Sequence, residues 1–461
     1  MISVQNIVDK LNQKISNGNL TNEEISQIHA ANQFLSSNNT NFQVQSIGNL
    51  PDGPSNKGRL IYVIDEDDFY YYDDLSLEWS NNFTSSPRTS GLVFGFGENF
   101  WGQVGVNVAP TDQGSPVTVV GGITNWSQLE AGSTSSIGLT DTGEIYAWGR
   151  GFGGPLGTND AIDRSSPVTV VGGITNWSAI SHSTQHSLAI TDTGDLYAWG
   201  DQRFDGKLGT DEIISRSSPV TVVGGITSWN SAAAGSDHSL GLTSTGVLYA
   251  WGRNNRGQLG TDDVVDRSSP VTVVGGITSW NKISAGREFT LGVTDTGVLY
   301  AWGRNQFSGR LGTNDEDNRS SPVTVVGGIT NWSSSISAGE LHSLGITDTG
   351  VLYAWGDNDN WGQLGHNDTI SRSSPVTVVG GITNWSQVEA GGNHSVGLTD
   401  TGILYAWGRN NNLNLAQGSG DTENKSSPVT VIGGITNWSQ ISAGSLGSHT
   451  LAILEISKGF N

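Results

Sequence analysis

Short runs of alternating hydrophobic and polar residues repeat along most of the chain. One repeating stretch reads Ser-Ser-Pro-Val-Thr-Val-Val-Gly-Gly-Ile-Thr-Asn-Trp at Ser165–Trp177, and a second, Leu-Tyr-Ala-Trp-Gly, interleaves with it, as at Leu248–Gly252. The prolines of the first stretch recur every 51 to 53 residues, at Pro116, Pro167, Pro219, Pro270, Pro322, Pro375 and Pro428. Runs of β-branched and aromatic residues bounded by glycine predict strands. Seven units of four short strands predict an all-β fold, a seven-bladed β-propeller.

The two ends of the repeat array predict how the propeller closes. Six units contain a complete Thr-x-Thr-Gly hairpin, whereas the seventh ends after the strand at Ser448–Leu454. The missing arm is found at the other end of the array: Leu92–Gly97 is a degenerate copy of Leu-Tyr-Ala-Trp-Gly that has no hairpin arm before it. We therefore expect the N-terminal and C-terminal strands to share a blade, which removes exposed sheet edges. The predicted propeller covers residues 91–461.

Residues 1–40 lack the repeat and predict helices. Apolar residues recur at helical spacing from Val4 to Ile15, and Thr21 with Glu24 forms a capping box ahead of a second amphipathic segment. A hairpin of two short helices has too little core to be stable alone. We therefore expect this segment to dock on a partner or to form a homo-oligomer.

Residues 41–90 predict a small β-hairpin module followed by a linker. Its strands are Gly58–Ile64 and Phe69–Tyr72, joined by the acidic turn Asp65–Asp68. The turn fits no calcium-loop spacing, and we interpret it as a solvated turn.

The charge of the chain narrows the classes of partner. Lys and Arg number 22 against 43 Asp and Glu, a net charge of −21. Nucleic acids and anionic membrane surfaces are bound largely through Lys and Arg, so neither is expected as a partner. No apolar run approaches the ~18 residues of a membrane span, and Cys is absent.

The repeat resembles that of the regulator of chromosome condensation family. The resemblance rests on Gly252–Gly260, on the Pro-Val strand and on Ser-Ala-Gly-x-x-His-Ser-Leu, and it extends over residues 92–456. It implies a seven-bladed propeller but no activity. Nucleotide exchange in the family needs an inserted wedge, and chromatin binding needs a basic tail. The regular unit spacing leaves no room for a wedge, and the N-terminal region is acidic.

The segment that contains Gly58–Tyr72 resembles modules of bacteriophage tail-fibre and appendage proteins. This resemblance implies a non-enzymatic virion protein, anchored to other virion proteins through residues 1–90. The propeller would then bind a host-surface polysaccharide or protein. The alternative is a cellular regulatory or inhibitory propeller that caps a protein partner, located for example in the bacterial cytoplasm. A polysaccharide-degrading enzyme is the weakest hypothesis, since no carboxylate pair is evident.

The repeated polar and aromatic residues predict structural roles. His186, His238, His342, His394 and His449 share one repeat position, and a seven-fold arrangement matches no common metal geometry. We expect them to hydrogen-bond the adjacent blade. Two sets of repeated tryptophans, exemplified by Trp251 and Trp229, predict packing between blades. No catalytic residue, metal ligand or cofactor site is expected.

The loop after each Trp-Gly pair holds the candidate binding residues. These residues are Trp101, Phe152, Phe204, Arg256, Phe307 and Trp361. Aromatic residues and arginine are the types that most often anchor interfaces. The alternative is that each packs under its own turn. Trp101 and Trp361 are favoured as the exposed members of the set.

Overall fold

A computed structural model describes residues 91–455 except positions 203, 204, 419 and 445, together with three strands between residues 60 and 80. Contacts divide the chain into two units, residues 1–89 with 456–461 and residues 90–455. In the first unit, β1 (Leu60–Val63), β2 (Asp68–Asp73) and β3 (Glu78–Ser80) form an antiparallel sheet in that order. The helices predicted within residues 1–40 lie outside the described residues. No helix long and apolar enough to cross a membrane occurs in the described part of the chain.

The second unit consists of 28 strands in seven four-stranded sheets. In chain order they are β4 (Gly91–Gly97), β5 (Gln113–Thr118), β6 (Trp126–Ala131), β7 (Ser135–Thr140), β8 (Ile145–Gly149), β9 (Arg164–Thr169), β10 (Trp177–His182), β11 (His186–Thr191), β12 (Leu196–Gly200), β13 (Arg216–Thr221), β14 (Trp229–Ala234), β15 (His238–Thr243), β16 (Leu248–Gly252), β17 (Arg267–Thr272), β18 (Trp280–Ala285), β19 (Phe289–Thr294), β20 (Leu299–Gly303), β21 (Arg319–Thr324), β22 (Trp332–Ala338), β23 (His342–Thr347), β24 (Leu352–Gly356), β25 (Arg372–Thr377), β26 (Trp385–Ala390), β27 (His394–Thr399), β28 (Leu404–Gly408), β29 (Lys425–Thr430), β30 (Trp438–Ala443) and β31 (His449–Glu455).

Each sheet is one blade of the predicted seven-bladed propeller, which is confirmed. Blades I to VI take consecutive groups of four strands from β6 to β29, and blade VII combines β30, β31, β4 and β5. The first strand of each blade packs against its counterparts in the neighbouring blades and lines the central channel. The fourth strand lies at the outer edge.

The connections define two faces. We call loop face the side that carries the turn between the first and second strands and the long loop between the third and fourth, such as residues 201–215 in blade II. We call hairpin face the side that carries the Thr-x-Thr-Gly hairpins and the connections between blades, such as residues 192–195 and 222–228.

Glycine ends the third strand because no side chain fits there. Gly252 has a φ of 101°, and a Cβ on it would lie 2.6 Å from Asp237 O and 2.7 Å from the Cα of His238. A non-glycine residue at this position would be strained as well as crowded. The chain can therefore leave the strand directly into the long loop of the loop face.

The hydrophobic core lies between blades rather than within them. One cluster joins Leu139 and Leu156 of blade I to Ile180 and Trp199 of blade II, and equivalent clusters occur at the other junctions. Trp199 is completely buried, and Trp177 is 5% exposed. Both repeated tryptophan sets are therefore core, as predicted, and each blade depends on its neighbours for burial.

Blade VII closes the propeller with strands from both ends of the repeat array. β31 pairs with β4 over seven residues, from His449 opposite Gly97 to Glu455 opposite Gly91. The closure predicted from the incomplete seventh unit is confirmed. All seven blades therefore have four strands, and the ring closes without a gap between the first and the last repeat.

Candidate functional site

At six of the junctions, one backbone carbonyl fixes the base of the long loop on the loop face. Between blades III and IV, the carbonyl oxygen of Gln258 accepts hydrogen bonds from Trp302 Nε1 at 3.0 Å and from Thr290 Oγ1 at 2.9 Å. The same pair of bonds is made to the carbonyls of Gln103, Pro155, Lys207, Arg310 and Gln363. Because these bonds are buried, they hold the loops firmly against the following blade.

Buried histidines complete these junctions. His238 Nε2 lies 3.1 Å from Thr290 Oγ1. Equivalent contacts join His186 to Ser239, His342 to Ser395, His394 to Thr450 and His449 to Ser136. The one proton of the Thr290 hydroxyl is donated to Gln258, so the imidazole of His238 must donate from Nε2. Burial lowers the pKa of His238 to about 4. The prediction that these histidines bond to the adjacent blade is confirmed.

One junction receives its imidazole from the other blade. Ser135 of blade I stands at the histidine position, while His182 of blade II stands where the other inner strands end in alanine. His182 Nε2 lies 2.8 Å from Ser135 Oγ, and its Nδ1 lies 2.8 Å from Ser187 Oγ. Ser187 Oγ donates to Pro155 O at 2.9 Å, so His182 donates from Nδ1. His182 on the inner strand of blade II therefore takes the place of the histidine that blade I lacks at Ser135.

Two loops place a buried cation near the centre of the loop face. Lys207 Nζ lies 3.0 Å from Asp237 Oδ1 and 3.6 Å from Asp205 Oδ2. Arg310 lies with its guanidinium carbon 5.8 Å from the ring centre of Phe289, which replaces histidine in blade IV. Burial lowers the pKa of Arg310 to about 10. Each side chain is 1% exposed, so these cations support the loops from inside.

The candidate residues of the sequence lie on the loop face but differ in exposure. Phe152 and Phe307 are 59% and 79% exposed, whereas Trp101, Arg256 and Trp361 are partly buried. Phe204 lies outside the described residues. The sequence favoured the two tryptophans as the exposed members, and the structure instead exposes the two phenylalanines most. The role of the set in binding stays a prediction.

Arginines from the following blade cover the two tryptophans. The guanidinium carbon of Arg150 lies 4.6 Å from the ring centre of Trp101, and that of Arg409 lies 4.8 Å from the ring of Trp361. Stacking of a guanidinium on an indole face is favourable, which accounts for the reduced exposure. The covering arginine is distant in sequence from the ring, so local sequence reasoning could not identify the pair.

Sequence reasoning missed a row of exposed aliphatic side chains at the outer rim of the loop face. Blades I to III carry Ile162, Ile213, Ile214, Val264 and Val265 in the loop before the fourth strand, each between 53% and 65% exposed. The signal was present as β-branched residues inside an otherwise polar loop.

The two faces differ in charge. Of the Lys and Arg residues described in the propeller, all lie on or beside the loop face except Lys282, which is on inner strand β18. The hairpin face carries carboxylates without cations among its described residues. These carboxylates include Asp141, Glu144, Asp192, Asp195, Asp295, Asp348 and Asp400. An acidic surface of this kind repels polyanions.

The central channel contains two carboxylates that the repeat pattern concealed. Glu130 and Glu389 occupy an inner-strand position that is serine or alanine in the other blades. Gln128 Nε2 donates to Glu130 at 3.1 Å, and Ser337 Oγ donates to Glu389 at 3.0 Å. Burial raises the pKa of Glu130 to about 7, and burial with repulsion from Glu130 raises the pKa of Glu389 to about 8.

The seven repeats, each a four-stranded blade closed into a ring, define this part of the chain as a β-propeller domain. Residues 93–452 match the model of the RCC1-like domain. The chain therefore belongs to the RCC1-like domain family.

Similar proteins come from plants, animals and yeasts. The Ultraviolet-B receptor UVR8 of Arabidopsis thaliana is 33% identical over 71% of this chain and 74% of its own length. Protein pim1 of Schizosaccharomyces pombe is 29% identical over 64% of this chain and 61% of its own length. The mouse E3 ubiquitin-protein ligase HERC2 is 28% identical over 82% of this chain, which spans only 8% of that protein.

Solved structures share the fold. Yeast RCC1 (Prp20), in a complex with Kap60, has a TM-score of 0.70 at 22% identity and covers 80% of this chain and 90% of its own. Human WBSCR16 has a TM-score of 0.70 at 21% identity and covers 79% of this chain and 99% of its own. At this level of identity the likeness establishes the propeller fold alone.

The comparisons contradict two expectations drawn from the sequence. The assignment to a bacteriophage virion, and with it the virion location, is wrong, because the relatives are cellular eukaryotic proteins. The error arose from loose motifs in residues 41–90, whereas the family match lies wholly in the propeller. The cellular regulatory alternative agrees better with these relatives.

Proposed function

We propose that this chain is a non-enzymatic regulatory propeller that binds a protein partner in a cell through its loop face. The observation that carries the proposal is the difference in exposed residue types between the two faces. The loop face combines exposed phenylalanines, exposed aliphatic residues and almost all described cations of the propeller. The hairpin face combines exposed carboxylates with apolar side chains that are less exposed, such as Val171 at 37% and Val223 at 36%.

The interior chemistry of the propeller also favours a binding role. The histidines, serines and threonines that could serve in catalysis are buried and bonded to neighbouring blades, as His238 is to Thr290. Protein interfaces are enriched in aromatic residues and arginine, and both lie at the long loops here. Yeast RCC1 (Prp20), which shares this fold, has been solved bound to Kap60, so a protein with this fold can take a protein partner.

The proposal is tested by comparing face variants of the full chain as bait in an extract of the source cells. Phe152→Ser with Phe307→Ser alters two exposed side chains of the loop face and leaves the core untouched. Asp295→Asn alters one exposed side chain of the hairpin face and serves as the matched control. Proteins retained by each bait are quantified by mass spectrometry.

We expect a defined partner to be retained by the wild-type chain and by the Asp295→Asn variant, and to be lost from the double phenylalanine variant. Loss of the partner from the Asp295→Asn variant alone would place binding on the hairpin face and contradict the proposal. Retention of no stoichiometric partner by any bait would contradict it as well. Circular dichroism and thermal unfolding confirm that each variant is folded.

A further inference from the structure

Three successive blades present aliphatic side chains at corresponding positions of their rim loops. We call this set the rim arc, defined as Ile162, Ile213, Ile214, Val264 and Val265. The most exposed member, Ile213, is 65% exposed. Single exposed apolar residues are ordinary on protein surfaces. Five of them repeated over three neighbouring blades form a row, and a row of this kind needs a separate explanation.

The rim loops are rigid where they carry these residues. In blade I, Asp160 Oδ1 accepts from Thr158 Oγ1 at 2.8 Å and from the Ile162 backbone N at 3.2 Å, while its Oδ2 pairs with Arg164 Nη2 at 2.7 Å. These hydrogen bonds lower the pKa of Asp160. The carboxylate therefore holds the backbone on which the aliphatic side chain stands.

The same arrangement recurs two blades further on. Asp263 Oδ1 accepts from Thr261 Oγ1 at 2.8 Å and from the Val265 backbone N at 3.1 Å, and Asp263 Oδ2 pairs with Arg267 Nη2 at 2.6 Å. In blade II, Glu212 Oε2 pairs with Arg216 Nη2 at 2.6 Å. In blades I and III the aliphatic residues are thus displayed by loops whose backbone is held by the same hydrogen bonds.

Hydrogen bonds between blades fix the spacing within the rim arc. The backbone N of Asn159 donates to Ser217 O at 2.7 Å, and that of Asp211 donates to Ser268 O at 2.9 Å. Each rim loop is thereby tied to the outer strand of the next blade. A surface that is already ordered loses little conformational entropy on binding, which favours association.

The chemistry of the rim arc selects among ligand classes. Ile and Val side chains offer neither a ring face for stacking sugars or bases nor a hydrogen-bonding group. They gain free energy by contact with other apolar side chains. A protein segment with aliphatic side chains is therefore favoured over a carbohydrate or a nucleic acid.

Blade IV, which follows the rim arc, adds a charge requirement. The positions equivalent to Val264 and Val265 are Glu316 and Asp317 there. The Asp317 side chain is 83% exposed, and its carboxylate lies 3.8 Å from Arg319, which also pairs with Asp315 at 2.6 Å. A cation from a partner would complement these carboxylates.

We propose that the rim arc binds a partner segment in which a row of aliphatic side chains is followed by Lys or Arg facing Glu316 and Asp317. This inference rests on the proposed function and adds the chemistry of the partner. It is tested with a displayed library of random 15-residue peptides selected on the full-length chain.

Enriched peptides are expected to combine aliphatic residues with a terminal Lys or Arg. In fluorescence anisotropy, the Ile213→Ser, Val264→Ser variant should weaken binding about ten-fold or more, a typical effect at an interface anchor. Glu316→Lys should weaken binding of the same peptides, and Phe307→Ser should leave it unchanged. Enrichment of acidic or aromatic peptides, or peptides that bind the rim variant equally, would overturn the proposal.

A second copy of the chain is the competing occupant. Light scattering of the full chain distinguishes it: a dimer that dissociates in the Ile213→Ser, Val264→Ser variant would overturn a heterologous partner at the rim arc. The outcome is separable from that of the proposed function. If the rim variant still retains the cellular partner while the Phe152→Ser, Phe307→Ser variant loses it, loop-face binding stands and the rim-arc inference fails.

Discussion

The two carboxylates of the central channel predict that Glu389→Gln stabilises the propeller at alkaline pH. In the folded protein, the pKa of Glu389 is raised from 4.5 to about 8 by burial and by Glu130. A carboxyl group whose pKa is raised on folding does not reduce the free energy of unfolding at a pH below its unfolded pKa. Its stability contribution is lost as pH rises from about 4.5 to about 8. The wild-type propeller should therefore lose stability across this window, because Glu389 ionises in the unfolded chain while it stays protonated in the folded one.

The magnitude follows from the size of the pKa displacement. At 1.36 kcal/mol per pH unit, moving a pKa from 4.5 to about 8 corresponds to about 5 kcal/mol for a group removed from water. The side chain keeps some exposure to the channel, and the solvent there screens the charge. We therefore expect Glu389→Gln to raise the free energy of unfolding by about 2 kcal/mol at pH 8.5. At pH 4.5 the protonated glutamate and glutamine should be equivalent.

Urea unfolding of the full chain between pH 4.5 and pH 9 measures this effect. Glu130→Gln should produce a similar but smaller gain, since the pKa of Glu130 is raised only to about 7. Glu144→Gln, an exposed position on the hairpin face, is the matched control and should change nothing. The reasoning is refuted if Glu389→Gln changes stability equally at pH 4.5 and pH 8.5, or if it destabilises the protein at pH 8.5.

Three further predictions concern the junctions between blades. His182→Ala should cost about 2 kcal/mol by leaving buried hydroxyls unpaired, and adding Ser135→His should restore most of the loss, which a double-mutant cycle measures. Burial lowers the folded pKa of His342 to about 3, so the stability that the neutral imidazole contributes is complete above its unfolded pKa near 6.5 and is lost as pH falls towards 3. In urea unfolding, the midpoint of the wild type should therefore fall relative to that of His342→Gln when the pH is lowered from 7.5. Trp251→Phe removes the bond from Nε1 to Lys207 O and should cost about 1 to 2 kcal/mol in urea unfolding, whereas an unchanged midpoint would contradict the carbonyl's role.

The repeat made the fold predictable because the same residues recur in the same environment. Residues equivalent to Trp251 and to Leu248 recur in successive units, so the burial of these residues follows from the ring as a whole. The incomplete seventh unit and the isolated strand Leu92–Gly97 predicted the shared blade in the same way. The pattern was sufficient for the junction residues that recur from blade to blade.

Residues that depart from the repeat were less predictable, because their partners lie in other strands or blades. His182 and Ser135 are individually unusual, and only the paired strands show that one compensates for the other. Glu389 looks like a polar substitution until the inner strands bring it near Glu130. The cover of Trp361 by Arg409 joins two blades, so the exposure of the ring could not be inferred from its own loop.

The shared blade has a consequence for the order in which the protein is made. β4 is the first strand of the propeller to be synthesised, and its partner β31 is the last. Until residues 449–455 leave the ribosome, β4 has no neighbour on one side, and the nascent chain carries an open sheet edge. Open edges invite association with other chains during synthesis. The interval between the first and last strands is therefore the period in which this protein most needs protection by chaperones.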